Sequence, residues 1–267
     1  MTVSPAMTPR LAWRILRIAA HLLLGFVLAF LIGMFFVRNK PWQRPVIGWW
    51  LGRLGRVLNL TVRLDGVPAD DSALWISNHV SWMDIPVLGS LRPLQFLSKA
   101  EVAAWPLIGP LARSAGTLFI QRGSGDADRV VGQIKDEIAA GRRVLFFPEG
   151  TTTDGFTVKR LFAKLFAAAV DTGCLIQPMV ICYQRDDGSL HPLAPFIGDD
   201  EMGAHLLNIL AGDPIQVIVH MLPPERAGHR DARALALHFE LVFQHALSKL
   251  HGAEHPPSRE GLAGVAA

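Results

Sequence analysis

In Ser77-Asn78-His79-Val80-Ser81-Trp82-Met83-Asp84 an imidazole stands five residues before a carboxylate, directly after a short apolar run. Imidazole takes a proton near neutral pH, and a carboxylate can hold the ring and stabilise the imidazolium. In an unbroken helix five residues turn the chain by about 140°, so the two side chains would not share a face. The pairing therefore requires a turn between them, with a helix starting near Ser81 or Asp84. Ser81 offers a different chemistry, a serine nucleophile activated by His79. The GxSxG elbow that exposes such a serine is missing from the flanking residues. Read alone, a His before an Asp is a surface residue or a helix cap.

A second group is Leu145-Phe146-Phe147-Pro148-Glu149-Gly150-Thr151-Thr152-Thr153-Asp154-Gly155. An apolar run ending in Pro-Glu-Gly, then hydroxyl residues, makes a loop with backbone N–H groups and a carboxylate that can hold a polar headgroup. Alone it reads as a tight turn with a capping Thr or Asp. A third group, Gly116-Thr117-Leu118-Phe119-Ile120-Gln121-Arg122, delivers one Arg at a strand end, and Lys99 with Glu101 in SKAEV reads as a solvated ion pair. Cys174 and Cys182 form no CxxC or CxxH pairing and read as small buried residues. No cluster has the spacing of a metal site.

The order of the set is more specific than any member. NHVSWMD, KAEVAAWPLIG, GTLFIQR, FPEGTTTDG and then Gln177-Pro178-Met179-Val180 closely resemble the glycerolipid acyltransferase family, of the lysophosphatidate (1-acyl-sn-glycerol-3-phosphate) acyltransferase type, over about residues 70–185. The resemblance implies that His79 is the general base for the acceptor hydroxyl and that Asp84 orients it. It implies that Glu149, Gly150 and Thr151 shape the acceptor site, and that Arg122 with Lys99 meets the acceptor's phosphate. The acyl group would pass directly from acyl-CoA or acyl-carrier protein to a lysolipid, with no metal, bound cofactor or nucleic acid. A thioester is already activated, so positioning, a base and oxyanion stabilisation suffice. One position departs from the family, whose third block usually reads FPEGTRS; here Thr152 stands where that Arg would be. A lost charge-assisted contact is worth about 1.5–3 kcal/mol if buried. Lysophosphatidate leads as acceptor, with lyso-ornithine lipid as the alternative that EGTT-like loops of the family suggest. A non-catalytic lipid-binding protein on the same scaffold is the reading of a different class.

These residues need a scaffold and a surface. The chain has 267 residues, 50% apolar and only 18% charged, which excludes a disordered, collagen-like or coiled-coil protein. Nine Lys and Arg precede the first acid, Asp65, leaving 17 cations against 23 acids in the rest of the chain. A basic first quarter calls for an anionic partner, nucleic acid or membrane. Apolar patterning decides for the membrane, since residues 18–37 carry no charge and a helix of that length spans about 30 Å. No small-residue cleavage site follows, so a retained anchor is expected rather than a signal peptide. Residues 46–60, with Trp49, Trp50, Arg53 and Arg56, read as an interfacial helix. Cations flank the anchor on both sides, so charge does not fix its orientation, and spanning or re-entering are both compatible.

From Leu64 short apolar runs alternate with helical ones. Strands are expected at Ala73–Ser77, Leu94–Leu97, Thr117–Gln121, Arg143–Phe147, Leu175–Cys182 and Ile215–Met221. Several are apolar on both faces, as in parallel strands covered by helices. Helices are expected at Asp126–Ala140, with Ser124 or Asp126 as cap, and near 160–171, 201–211 and 230–250. The expected fold is α/β, a mostly parallel sheet flanked by helices with an N-terminal membrane-anchoring helical segment. The division is residues 1–64 anchor and interfacial helix, 65–250 acyltransferase domain, and 251–267 flexible tail. The resemblance places the protein at the inner, cytoplasmic membrane with its catalytic domain facing the cytoplasm.

Overall fold

A computed structural model describes residues 5–37, 40–71, 73–121, 123 and 125–251; the expected tail beyond His251 lies outside them. The centre is an eight-stranded sheet. Its strands are β1 (Leu60–Asp65), β2 (Leu74–Ser77), β3 (Gln95–Lys99), β4 (Leu118–Ile120), β5 (Val144–Phe146), β6 (Leu175–Gln184), β7 (Ile215–Met221) and β8 (Glu225–Arg226). The order is β1-β7-β6-β2-β5-β3-β4, with β8 paired to β6. β4, β3, β5, β2 and β6 run parallel, whereas β7 and β8 run antiparallel to β6 and β1 follows β7. The sheet is therefore mostly parallel, as expected.

Both faces are covered, which is why β2 is buried at every residue. Leu74 and Ile76 point into a core with α5 (Ala127–Ala139), α6 (Ala167–Thr172) and α8 (Ala232–His251). Trp75 enters a second core with α3 (Asp84–Leu91), α7 (Met202–Ala211) and the N-terminal helices. α5 buries Val130, Val131 and Ile134 at helical spacing. Asp126 makes no side-chain cap there; its carboxylate accepts from the Gln121 amide and binds Arg129, and Ser124 lies outside the described residues.

The N-terminal segment differs from expectation in its bounds. α1 runs from Pro9 to Leu31, not from residue 18 to 37. Thr8 caps it through Leu11 N, Pro9 sits in its first turn, and the left-handed Gly33 breaks it. The helix is long and apolar enough to cross a membrane. Leu11, Arg14, Ile18, His21, Gly25 and Ala29 face the protein, while Trp13, Leu16, Leu23, Val27 and Phe30 are exposed. Arg14 donates to the carbonyls of Leu210 (2.6 Å) and Gly212 (2.9 Å) at the end of α7, a favourable place for a cation. α2 (Gln43–Val57) closes a hairpin on α1: the Trp50 indole donates to His21 O, His21 Nε2 donates to Trp50 O, and the rings stack. α2 also packs on α3. Residue 60, expected to end the interfacial helix, opens β1 instead. α4 (Ile108–Ser114) was not expected, and the helix expected near 160–171 starts late: residues 160–163 are coil and a 3-10 turn at Lys164–Phe166 leads into α6.

Candidate active site

Parallel strands end together, so the loops after β2, β3, β4, β5 and β6 gather at one edge of the sheet. The loop after β2 carries His79, and α3 begins at Asp84. The intervening turn is held by Asp84 itself, whose Oδ2 accepts from Val80 N (2.9 Å) and Ser81 N (3.2 Å). The same oxygen meets His79 Nδ1 at 2.6 Å. Oδ2 already serves as acceptor for two amides, so Nδ1 carries the proton and Nε2 is left as the basic nitrogen. Asp84 is fully buried and the His79 side chain is 19% exposed. The imidazole lies flat on Phe147, ring centroids 3.9 Å apart and planes 10° apart. A ring clamped by a carboxylate at one nitrogen and open at the other is a positioned proton acceptor.

Tyr183, the sole tyrosine, completes the support. Its hydroxyl donates to Asp84 Oδ1 at 2.6 Å from the far end of β6. Burial raises the phenol well above its usual range, so it remains a donor. The sequence reading did not single it out. It follows an apolar run like any strand residue, and only the alignment of β6 beside β2 brings it under Asp84. Asn78, also buried, exchanges two hydrogen bonds with the Ile181 backbone (2.7 and 3.1 Å), fastening the same loop to β6.

Glu149 joins the two motif loops. Its Oε1 accepts from His79 N (2.9 Å) and its Oε2 from Lys159 N (2.8 Å). Burial pushes its carboxyl up to about 7, against the pull of those two amides. Both oxygens are engaged inward, so Glu149 reaches an acceptor only through the loops it ties. Gly150 is left-handed (φ 66°) and closes the turn onto Phe147 O. Thr151 is half-buried beside it. Thr153 N donates to His79 O (2.8 Å). Thr152, at the position of the family's Arg, donates its hydroxyl to Phe196 O, and Phe196 N donates to Val80 O (2.9 Å). Lys99 ends β3, two strands from β2 and so about 10 Å across the sheet, and is exposed. Arg122 lies outside the described residues.

Ser81 does not fit a nucleophile. It is fully buried, its hydroxyl has no partner, and His79 contacts Asp84 instead. Among the described residues no group of three or more His, Cys, Asp or Glu is arranged to hold a metal ion.

A sequence profile of the Acyltransferase family matches residues 59–182, which hold β1 to most of β6 and every motif above. A lyso-ornithine lipid O-acyltransferase of Pseudomonas aeruginosa is 44% identical over 207 residues, covering 78% of this chain and 80% of that protein. A 1-acyl-sn-glycerol-3-phosphate acyltransferase of Neisseria gonorrhoeae is 31% identical over 151 residues, 56% of this chain and 59% of that protein. In three dimensions the chain is similar to the 1-acyl-sn-glycerophosphate acyltransferase PlsC of Thermotoga maritima. The TM-score is 0.59 at 19% identity, over 91% of this chain and all of the other.

Proposed function

The chain belongs to the acyltransferase family, and from that premise we propose that it moves a fatty acyl group from a soluble thioester to the free hydroxyl of lyso-ornithine lipid. The observation that carries the reaction is the 2.6 Å contact between His79 Nδ1 and Asp84 Oδ2, which leaves Nε2 free. Nε2 takes the proton of the acceptor hydroxyl as its oxygen forms a bond to the thioester carbonyl. Asp84 stabilises the imidazolium that results. Collapse of the tetrahedral intermediate breaks the carbon–sulfur bond, and the departing thiolate recovers the proton. His79 touches the reacting oxygen; Asp84, Tyr183 and Glu149 act through it or its loop. No bound cofactor or metal enters these steps, and acyl-CoA or acyl-carrier protein serves as donor.

Two observations favour lyso-ornithine lipid as acceptor. One is the 44% identity over four-fifths of the Pseudomonas relative. The other is Thr152, a hydroxyl spent on Phe196 O where a cation would meet phosphate. Lysophosphatidate, which the motifs alone put first, is the second reading; the Neisseria match and Lys99 at the same sheet edge favour it. In both readings residues 1–64 seat the protein at the inner membrane, Lys99, Arg122, Gly150 and Thr151 border the acceptor, and residues 65–250 face a cytoplasmic donor. A panel of lyso-ornithine lipid, lysophosphatidate and lysophosphatidylcholine, offered with one labelled donor, tests the choice. Diacylated ornithine lipid is the expected main product; turnover of lysophosphatidate alone reverses the order.

A further inference from the structure

We propose that the turn Trp105-Pro106-Leu107-Ile108 is a second membrane-insertion point, beside α1, that seats the catalytic edge in the lipid surface. All four residues are exposed, and with Ala104 before them they form the longest exposed apolar run among the described residues. Trp105 is 39%, Leu107 53% and Ile108 38% accessible. Such a run on a water-facing surface lacks a folding rationale and points to an apolar partner. The turn is also rigid. Gly109 N donates to Trp105 O (2.9 Å) and Ile108 N to Pro106 O (2.8 Å). A Cβ on Gly109 would lie 2.3 Å from Ala103 O, and Arg113 donates to that same carbonyl.

Leu107 is held at φ 67°, a conformation unfavourable for a branched side chain, although it is more than half exposed and absent from both buried cores. The partner follows from position. The turn lies between the C-terminal end of β3 and α4, at the edge that holds His79, and α4 packs against α1. The knuckle therefore opens a helix packed on α1, whose own exposed residues Trp13, Leu16, Leu23, Val27 and Phe30 are likewise apolar. Lys99 precedes the turn in the chain and Arg113 follows it, both exposed, and cations beside an apolar insertion suit headgroup phosphates. The occupant is a lipid bilayer.

The test places one new cysteine at a time, Leu107→Cys in the knuckle, Leu23→Cys in α1 and Asp136→Cys on the solvent face of α5. Cys174 and Cys182 are buried, and burial pushes the Cys182 thiol up to about 12, so neither competes for label. Full-length protein carrying an environment-sensitive fluorophore is reconstituted into vesicles of phosphatidylethanolamine and phosphatidylglycerol with nitroxide-labelled lipid. Labels at 107 and 23 are expected to shift to the blue and be quenched, and the label at 136 to do neither. Quenching at 23 with water-like emission at 107 overturns the knuckle alone; water-like emission at both overturns the membrane reading of α1 as well. A second arm uses Leu107→Gly, which tolerates φ 67° and so preserves the fold. With a vesicle-embedded acceptor its activity at limiting lipid is expected to fall about tenfold, and with a micelle-dispersed acceptor to match wild type. Equal losses in both media overturn the proposal.

Discussion

Replacing Asp84 by Asn removes a charge while keeping the shape of the side chain. Oδ2 of Asp84 accepts from His79, Val80 and Ser81, and Oδ1 from Tyr183. An amide meets the same set by keeping its oxygen at the Oδ2 position and turning its NH₂ to the Tyr183 hydroxyl, which can accept as well as donate. The fold is therefore expected to survive. What disappears is the attraction between a fully buried carboxylate and the imidazolium formed as the alcohol loses its proton. A hydrogen bond to a charged group contributes about 1.5–3 kcal/mol, and about 1.4 kcal/mol is tenfold in rate. The upper end applies at a dry site, so kcat is expected to fall about a hundredfold. The acceptor's KM should stay within about threefold, because the interaction is made only as charge develops. Turnover of labelled thioester in reconstituted vesicles reads both constants. Unchanged kcat, or a loss carried entirely by KM, refutes the reasoning.

Tyr183→Phe leaves Oδ1 without a donor in a buried site; kcat is expected to fall about tenfold with KM held, and a loss confined to KM would count against a positioning role. Ser81→Ala is expected to retain activity within about twofold and to release no free fatty acid without acceptor, since its hydroxyl is buried and hydrogen-bonds neither His79 nor Asp84. Glu149 is a pH reporter of the fold. Burial lifts its carboxyl from 4.5 to about 7, so the folded chain holds a proton that the unfolded chain releases above pH 4.5. That contribution is present at low pH and is lost as pH rises to about 7, by about 3 kcal/mol in all. Glu149→Gln does not titrate, so the stability difference between wild type and variant should shift against wild type by most of that amount between pH 5 and pH 8. A difference that stays flat in denaturant melts of detergent-solubilised protein sinks this assignment.

The parts that local pattern controls were legible. The apolar runs after Leu64 became strands close to their expected bounds, and α5 kept its face of Val130, Val131 and Ile134. The turn required by the five-residue gap between His79 and Asp84 is present, with α3 beginning at Asp84. What escaped depends on partners distant in sequence. β1 is an edge strand with five of its six residues exposed, so it lacks the buried signature of β2, β5 and β6. α1 extends back through Arg14 because the Leu210 and Gly212 carbonyls receive that guanidinium, a contact nearly 200 residues away that charge-free-run arithmetic does not see. Tyr183 and the inward role of Glu149 likewise follow from register and loop closure. Tyr183 stands in an apolar strand whose facing direction is set by pairing with β2, and the Glu149 carboxylate is consumed by two backbone amides rather than turned to a headgroup.

The central claim is that the free nitrogen of His79 removes the acceptor's proton. It is tested most directly by His79→Ala in reconstituted vesicles, with labelled acyl donor and saturating lysolipid. Acyl transfer is expected to drop at least about a hundredfold while the variant still binds the lysolipid. Acyl transfer at the wild-type rate would contradict the account.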